Sequence, residues 1–464
     1  MKKRIYLPIE IIIRELDSKL LLGISLLINS NNEWEVIIGN VKKMGSYINR
    51  KNKTPFIWLD KGVEINPLKL KKILYNNGRA ILLDEEGGVY TRKHKKFPRG
   101  LKVNSALQFY EKIFFWGQET YNNWQKLHKN LKASQLVISG NPRFDLSKKD
   151  FINYFKNLNP CVPNYKYILI STAFGNGNPH IPIDKNYSVY WNKINAGTVN
   201  SIDFEITDYQ KRLFEPFLRG IERLVKDFPN EKFILRPHPF ENMRSYDKYF
   251  KDLKNIDIIY SGPIQDWLPN AKFIIHSGCT TAIEAFFHKL NAICYAPIEG
   301  EDNEQFTTFE ISDVAEDYEA LYNSFKEKLN ENYIDYNLEK KTNFIKYYIH
   351  NYGAKNSYEE IIKIIDQITF KYIDIDLDFK EKIKTLIPDD FYNFLSKSKT
   401  FLFKSHQQKK FRKSMKVLDY KKFPDLSLKD INIRVTKLLK LLNYDNHIDI
   451  IETKPNIFML KKKN

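Results

Sequence analysis

The chain has 464 residues, of which 42% are hydrophobic and 14% aromatic, so a largely disordered protein is excluded. Its 74 Lys and Arg against 56 Asp and Glu give a formal net charge of +18, which favours anionic partners without choosing among them. Three cysteines without paired spacing indicate a reduced protein. No run approaches the ~20 apolar residues of a membrane span, and the N-terminus lacks a signal-peptide pattern. We therefore expect a cytoplasmic protein.

The first third of the chain alternates short apolar runs with helix-like stretches. The predicted strands are Arg4–Leu7, Trp34–Ile38, Phe56–Leu59, Arg79–Leu83, Lys112–Trp116 and Leu136–Ser139. Several of these runs are continuously apolar, as in parallel strands that are covered on both faces. Predicted helices at Pro67–Asn77 and Glu119–Asn130 intervene. The rhythm predicts a doubly wound α/β domain.

A polar connector over residues 157–164 precedes a second series of the same kind. Its predicted strands are Tyr167–Ser171, Lys232–Leu235, Asp257–Tyr260, Lys272–His276 and Ala292–Tyr295. Predicted helices cover Tyr209–Asp227 and Thr281–Lys289. We therefore predict two Rossmann-like doubly wound domains facing a cleft, over residues 1–160 and 165–365, and a basic, mostly helical extension over residues 366–464.

An Arg-Pro-His-Pro sequence, Arg236 to Pro239, follows a buried strand of the second half. Ligands of open α/β sheets bind at the carboxyl ends of the strands, where this loop lies. Arg236 and His238 can donate hydrogen bonds to a phosphate. A histidine bonded within a turn is the alternative.

The next motif, Ser277 to Glu284, follows the strand that ends at His276. Gly278 permits a tight turn, and Thr280 and Thr281 can cap the helix behind it. The free N–H groups of such a helix form an anion site, and Glu284 could accept the hydroxyls of a ribose. A capping box of Thr281 and Glu284 explains part of the pattern equally well.

Weaker signals accompany these two motifs. Gly175 and Asn176 follow the first strand of the second half and suit backbone contact with a diphosphate or sugar, although a flexible turn explains them too. No metal-binding motif is present. Asp374, Asp376 and Asp378 resemble a DxD signature but lie on one face of a predicted strand in the extension, so we predict neither a metal nor a cofactor.

The acid–base candidates lie in the first half. Asp84, Glu85 and Glu86 follow a strand, and repulsion among three carboxylates would raise a pKa and suit a general base. An acidic surface turn is the alternative.

A second candidate cluster follows the predicted strand that ends at Ser139. Asn141 and Arg143 could hold an acceptor or a sugar carboxylate, while Asp145 could be a nucleophile or a helix cap. The alternative is a Pro-containing turn with a surface ion pair.

Taken together, these motifs resemble the bacterial surface carbohydrate biosynthesis proteins. The resemblance covers about residues 4–350 and lies in Leu7–Glu10, Arg14–Asp17, Leu83–Gly87, Gly140–Asp145, Ile170–Asn178, Arg236–Pro239 and Ser277–Ala285. More distantly, the chain looks like polysialyltransferases and Kdo-type transferases. That resemblance implies that Glu85 and Glu86 are catalytic and that His238 binds the CMP of the donor. Three consecutive acids instead of a pair leave open which one is catalytic.

The resemblance implies a GT-B glycosyltransferase, with an acceptor domain followed by a nucleotide-sugar domain. The donor would be a CMP-linked ulosonic acid, and the acceptor a surface or lipid-linked glycan. Basic and aromatic residues between Lys397 and Lys416 would contact anionic lipid, and no nucleic acid partner is expected. The alternatives are a CDP-glycerol-type polyol-phosphate transferase, a non-hydrolysing sugar-nucleotide epimerase, or an inactive basic scaffold that binds glycan or RNA.

Overall fold

The computed structural model describes residues 2–47, 54–64, 67–88, 91, 105–180, 201–300, 302–371, 375, 420 and 422–463. The strands are β1 Lys3–Ile9, β2 Trp34–Asn40, β3 Phe56–Asp60, β4 Gly78–Leu83, β5 Tyr110–Phe115, β6 Leu136–Ile138, β7 Tyr167–Ser171, β8 Phe233–Arg236, β9 Ile256–Ile258, β10 Ala271–His276, β11 Ala292–Tyr295, β12 Asp313–Ala315, β13 Ile448–Lys454 and β14 Ile457–Lys462. The α-helices are α1 Ile12–Asn29, α2 Val41–Met44, α3 Pro67–Tyr75, α4 Gln118–Leu127, α5 Pro142–Asp145, α6 Ile152–Phe155, α7 Ser201–Asp227, α8 Asp247–Phe250, α9 Thr281–Phe287, α10 Phe306–Glu310, α11 Tyr318–Leu329, α12 Leu338–Tyr348, α13 Ser357–Asp366 and α14 Leu428–Leu441.

The chain divides into two compact units. Unit 1 comprises Met1–Gly88, Arg99–Leu146 and Tyr347–Asn464, and unit 2 comprises Val89–Pro98 and Ser147–Lys346. Each unit contains one sheet with helices packed on it, so the prediction of two Rossmann-like α/β units is confirmed.

Unit 1 has an eight-stranded sheet of order β13-β14-β2-β1-β3-β4-β5-β6. Strands β1 to β6 are parallel, whereas β14 pairs antiparallel with both β2 and β13. Helix α1 approaches the sheet so closely that a Cβ on Gly23 would lie 2.7 Å from Val36 Cγ1. Because the order reverses between β1 and β3, the carboxyl ends of these strands form the place where an open sheet binds ligands.

Unit 2 has a six-stranded parallel sheet of order β12-β11-β10-β7-β8-β9. Starting from β7, this is the Rossmann order, with its reversal between β7 and β10. Helix α7 covers one face, where Phe217, Ile221 and Leu224 pack in one core with Ile168 and Leu235 of the strands.

The C-terminal segment differs from the predicted extension. The described part of residues 366–464 contains helix α14 and the strands β13 and β14, which were not predicted, and from Tyr347 onwards the chain belongs to unit 1. The hairpin was missed because β13 is an edge strand whose second half, Ile451–Lys454, is exposed and largely polar. The basic Lys397–Lys416 stretch and the acidic residues Asp374, Asp376 and Asp378 lie outside the described residues. Among the described helices, none has the length and apolar character needed to cross a membrane.

Candidate functional site

The carboxyl ends of the central strands of unit 2 bring the predicted motifs to one edge of the sheet. Strand β7 ends at Ser171 and is flanked by β8, which ends at Arg236, and by β10, which ends at His276. The order of the sheet reverses here, which is where ligands of open α/β sheets bind.

Hydrogen bonds join the loops that follow β7 and β10. The N–H of Ala173 donates to Ser277 Oγ at 3.0 Å, and Ser171 Oγ donates to Thr281 Oγ1 at 3.0 Å. The Thr281 hydroxyl also lies 3.3 Å from Cys279 Sγ. Ser277 and Thr281, which the sequence suggested as nucleotide ligands, therefore hold the two loops together.

His276 shapes the turn after β10. Its Nδ1 accepts from the N–H groups of Gly278 at 3.0 Å and Cys279 at 3.3 Å. The proton is consequently on Nε2, which lies 2.8 Å from Ser312 Oγ. Burial lowers the pKa of His276 to about 3, so the ring is neutral. His276 thus takes the N–H groups of the two residues that precede the N-cap of helix α9. Gly278 has φ +81, a conformation that favours glycine.

The start of helix α9 differs from its prediction. Thr280 is the N-cap residue, but its side chain makes no capping hydrogen bond, so the predicted capping role is wrong. Glu284 is 1% exposed, and its negative charge acts on the Arg236 guanidinium. The contact of Glu284 with a ribose stays a prediction.

Arg236 lies beneath the loop after β9. It is 6% exposed, and its Nη2 donates to the carbonyl oxygens of Gly262 at 2.8 Å and Ser261 at 3.3 Å. The guanidinium also lies 5.2 Å from the ring centroid of Trp267. Burial lowers the pKa of Arg236 to about 10, which still leaves it charged at neutral pH. Arg236 therefore supplies a fixed positive charge beneath the site and positions the loop, rather than presenting its Nη2 to a ligand.

His238 lies against the glycine loop that follows β7. A Cβ on Gly175 would come within 3.0 Å of His238 Nδ1. The half-buried imidazole stacks on Phe240 and accepts from the Phe240 N–H at 3.3 Å. Asn176, next to Gly175, is exposed, and its N–H donates to Gln210 Oε1 at 3.0 Å. The structure thus brings together His238 and Gly175, two of the predicted donor ligands.

Glu241, which the sequence analysis did not single out, connects the loops after β7 and β8. Its carboxylate accepts from the N–H groups of Phe174 at 2.7 Å and His238 at 3.1 Å. The hydroxyls of Thr172 and Tyr246 donate to it as well. Glu241 is 1% exposed, and burial raises its pKa to about 7 despite these hydrogen bonds. The carboxylate fixes the backbone on which His238 stands.

In unit 1, Glu85 and Glu86 of the acidic turn after β4 lie in different environments. Glu85 is 3% exposed and its Oε1 lies 3.5 Å from Lys19 Nζ, while its Oε2 is buried without a hydrogen-bond partner. Glu86 is exposed, and Arg14 Nη1 donates to it at 3.4 Å. Each carboxylate therefore lies beside a cation, which offsets the mutual repulsion expected from the sequence.

Lys19 belongs to a buried ion cluster at the carboxyl ends of β1 and β3. Its Nζ donates to the Pro8 carbonyl at 2.6 Å and to Glu15 Oε2 at 3.1 Å. Burial alone would raise the pKa of Glu15, but Lys19, Lys61 and Arg14 lower it to about 2. This role of Lys19 was not predicted, because no local pattern in the sequence marks its long-range contact with Glu85.

The Asn141–Asp145 turn is an internal anchor of unit 1. Asp145 is 0% exposed and accepts from Asn351 Nδ2 at 2.7 Å and from the Tyr358 N–H at 3.0 Å. Asn141 caps helix α5 by accepting from the Arg143 N–H at 2.9 Å, and both side chains are buried. Asp145 is therefore a structural residue in this geometry, which disfavours the predicted nucleophile, and Asn141 and Arg143 are not on an open surface.

Within the described part of the chain, no three His, Cys, Asp or Glu side chains come together as a metal ion would require. The candidate residues therefore form two separate groups, one in the loops of unit 2 around His238 and one around the buried Glu85 of unit 1.

No protein-family model matches the chain, and no curated protein matches it. Among solved structures, UDP-GlcNAc 2-epimerase of Methanocaldococcus jannaschii, in complex with UDP-GlcNAc and UDP, is similar over 79% of this chain and 99% of its own, at 16% identity and TM-score 0.48. UDP-GlcNAc 2-epimerase of Neisseria meningitidis matches over 79% and 99%, at 13% identity and TM-score 0.45. The wall teichoic acid polymerase TagF matches over 79% and 87%, at 10% identity and TM-score 0.48. These values are too low to assign a family or an activity.

Proposed function

We propose that the chain is a glycosyltransferase that uses a nucleotide-sugar donor, whose phosphate binds at the carboxyl ends of β7, β8 and β10 in unit 2. The observation that carries the proposal is the position of His238 over Gly175 at the reversal of a Rossmann sheet. Glu241 and Ser277 hold the three loops in place around this point. A hydrogen-bond donor that is held in place in this way stabilises negative charge without a cost of reorganisation during the reaction.

His238 is the proposed phosphate ligand. Because its Nδ1 accepts from the Phe240 N–H, the ring proton lies on Nε2, which can donate to a phosphate oxygen. The buried charge of Arg236 would favour the developing negative charge on the departing nucleotide. This arrangement supports a leaving-group site built from the side chains of unit 2.

Glu85 is the proposed general base in unit 1. Its buried Oε2 is an acceptor without a partner, suited to a hydroxyl, whereas the exposed Glu86 is paired with Arg14. In the proposed step, Glu85 takes the proton of the acceptor hydroxyl while that oxygen bonds to the anomeric carbon. The bond from this carbon to the phosphate oxygen breaks, and the nucleotide leaves. Direct attack of this kind inverts the anomeric configuration.

We infer that the donor is a CMP-linked ulosonic acid, such as sialic acid or Kdo, and that the acceptor is a surface or lipid-linked glycan. This inference rests on the likeness of Glu85-Glu86-Gly87 and His238-Pro239 to the motifs of polysialyl- and Kdo-type transferases. The donor is a substrate, so the proposal includes no separate cofactor.

Calorimetric titration with CMP, CDP, UDP and GDP tests the proposal. We expect a preference for CMP and a loss of at least about tenfold in affinity for His238→Ala, corresponding to a charge-assisted hydrogen bond of ~1.5–3 kcal/mol. His447→Ala, at an exposed position of unit 1, is the matched control. Preference for CDP or UDP would favour the polyol-phosphate transferase or the epimerase. Absence of any nucleotide binding would favour the inactive basic scaffold.

A further inference from the structure

The loop between α11 and α12 has an inverted distribution of polar and apolar side chains. Ile334, Tyr336 and Leu338 are 63%, 91% and 49% exposed. The side chains of Lys328 and Lys341, on the flanking helices, are only 1% and 7% exposed. A surface loop normally places its charged groups in water and its apolar groups inside. We call residues 333–338 the apolar loop.

A partly buried ion network anchors the apolar loop. Asp313, at the start of β12, forms ion pairs with both Lys328 and Lys341. Lys341 also pairs with Asp335 of the loop at 2.8 Å, and the hydroxyl of Tyr333 donates to Asp313 at 3.0 Å. The inward-facing residues of the loop thus fix its backbone.

Internal turns hold the alternate side chains outward. The N–H of Asn337 donates to Asp335 Oδ1 at 2.9 Å, and the N–H of Leu338 donates to the Asp335 carbonyl at 3.1 Å. Tyr333 and Asp335 face the network, so Ile334 and Tyr336 point to solvent on the opposite side. A fixed loop that exposes an isoleucine, a tyrosine and a leucine is typical of an interaction surface.

The dimensions of the loop favour a lipid surface over a protein. A stable protein interface buries ~800 Å² per partner from ~20–30 residues, whereas this tip consists of three apolar side chains. Tyr and aliphatic side chains are suited to the boundary between headgroups and acyl chains. The exposed ionisable residues around the loop are balanced in sign: Lys326, Glu327, Glu331, Glu339, Lys340 and Lys346. Contact would therefore depend on apolar insertion rather than on anionic headgroups.

We propose that the apolar loop inserts Ile334, Tyr336 and Leu338 into the interfacial region of a lipid bilayer. This proposal does not depend on the proposed function, and it concerns a different part of the chain from the predicted basic tail. The two contacts differ in their salt dependence, because charge attraction is screened and apolar insertion is not.

The test is co-sedimentation of the full-length chain with phosphatidylcholine vesicles at high salt. We expect binding to fall about tenfold or more in the Ile334→Ser/Tyr336→Ser variant, since two apolar side chains are lost from the inserted tip. The control Ile433→Ser/Tyr420→Ser removes the same residue types from 42% and 60% exposed positions elsewhere and should bind like the wild type. Equal binding of the loop variant and the wild type, or no binding by the wild type, overturns the proposal.

A second measurement reports depth directly. Tyr336→Trp should be quenched by brominated phosphatidylcholine, whereas Tyr420→Trp should not. Sedimentation velocity without lipid measures whether copies of the chain associate through the loop. A dimer that dissociates in the Ile334→Ser/Tyr336→Ser variant would assign the loop to contact between copies of the chain and would overturn the lipid proposal.

Discussion

Lys19 Nζ lies 3.5 Å from Glu85 Oε1, and both residues are 3% exposed. The same ammonium group donates to Glu15, so one buried cation serves two carboxylates. A buried charge of this kind is stable only when it is paired. The pairing fixes the position of Glu85 while its second oxygen remains without a protein partner.

Replacing Glu85 with Gln should lower turnover by at least about 100-fold, because a positioned general base contributes ~10²–10⁴-fold to the rate. Nucleotide affinity, which the proposal places in unit 2, should be unchanged. Steady-state kinetics with a CMP-sugar donor and titration with CMP separate the two effects. Glu86→Gln is the matched control and should retain most of the activity. A greater loss in Glu86→Gln would assign the base to Glu86.

The pKa of Glu15 predicts a loss of stability in acid. Its folded pKa of about 2 lies below the ordinary value of 4.5, so the unfolded chain binds more protons between these values. The contribution of Glu15 is therefore complete above about pH 4.5 and is lost as the pH falls towards 2, by up to about 3 kcal/mol. Urea midpoints measured between pH 5 and 3 should fall less steeply in Glu15→Gln than in the wild type. The exposed Glu33→Gln is the control, and parallel slopes in all three proteins would contradict the assignment.

The raised pKa of Glu241 predicts that stability depends on pH in the opposite direction, at higher pH. Its folded pKa of about 7 lies above the ordinary value, so the folded chain binds more protons between about pH 4.5 and 7. Stability is fully present below that window and falls as the pH rises through 7, by up to about 3 kcal/mol. Urea midpoints at pH 5 and 8 should differ in the wild type, and the difference should shrink in Glu241→Gln. An unchanged difference in the variant would show that another group titrates.

Asp145 should prove important for stability rather than for chemistry. Asp145→Ala removes a buried acceptor of Asn351 and of the Tyr358 N–H, which should lower the free energy of unfolding by about 1–3 kcal/mol. Asp145→Asn keeps one acceptor oxygen and, as the milder change, should retain turnover wherever the protein is folded. Thermal melting and donor turnover are the two measurements. A folded Asp145→Asn variant without activity would support the assignment of Asp145 as the nucleophile.

The sequence was sufficient to predict strands β1 to β11 of the two sheets, but not β12 or the β13–β14 hairpin. Strands such as Tyr167–Ser171 and Ala292–Tyr295 were predicted because continuous apolar runs report burial on both faces. The site was harder to predict from the sequence, since the roles of His276 and Arg236 depend on hydrogen bonds to the turn at Gly278 and to Gly262. The spacing of a motif predicts that a side chain lies at the end of a strand. It does not show which neighbouring groups form hydrogen bonds with that side chain.

Glu241 illustrates the same limit from the other direction. It stands three residues after His238, and no local pattern marks it. Its importance comes from Thr172 and Phe174, which are distant in the chain and reach it only through the pairing of β7 with β8. The hydrophobic periodicity of a sequence does not reveal long-range contacts of this kind.

The pairing of β14 with β2 has a consequence for the order in which the protein forms during translation. Leu460 pairs with Val36, so an internal strand of the first sheet waits for a partner made more than 400 residues later. All of Ser147–Lys346, the bulk of unit 2, leaves the ribosome in between. Until the hairpin arrives, the Val36 edge offers unpaired backbone groups to other nascent chains. Chaperone dependence should therefore be concentrated in this interval of synthesis.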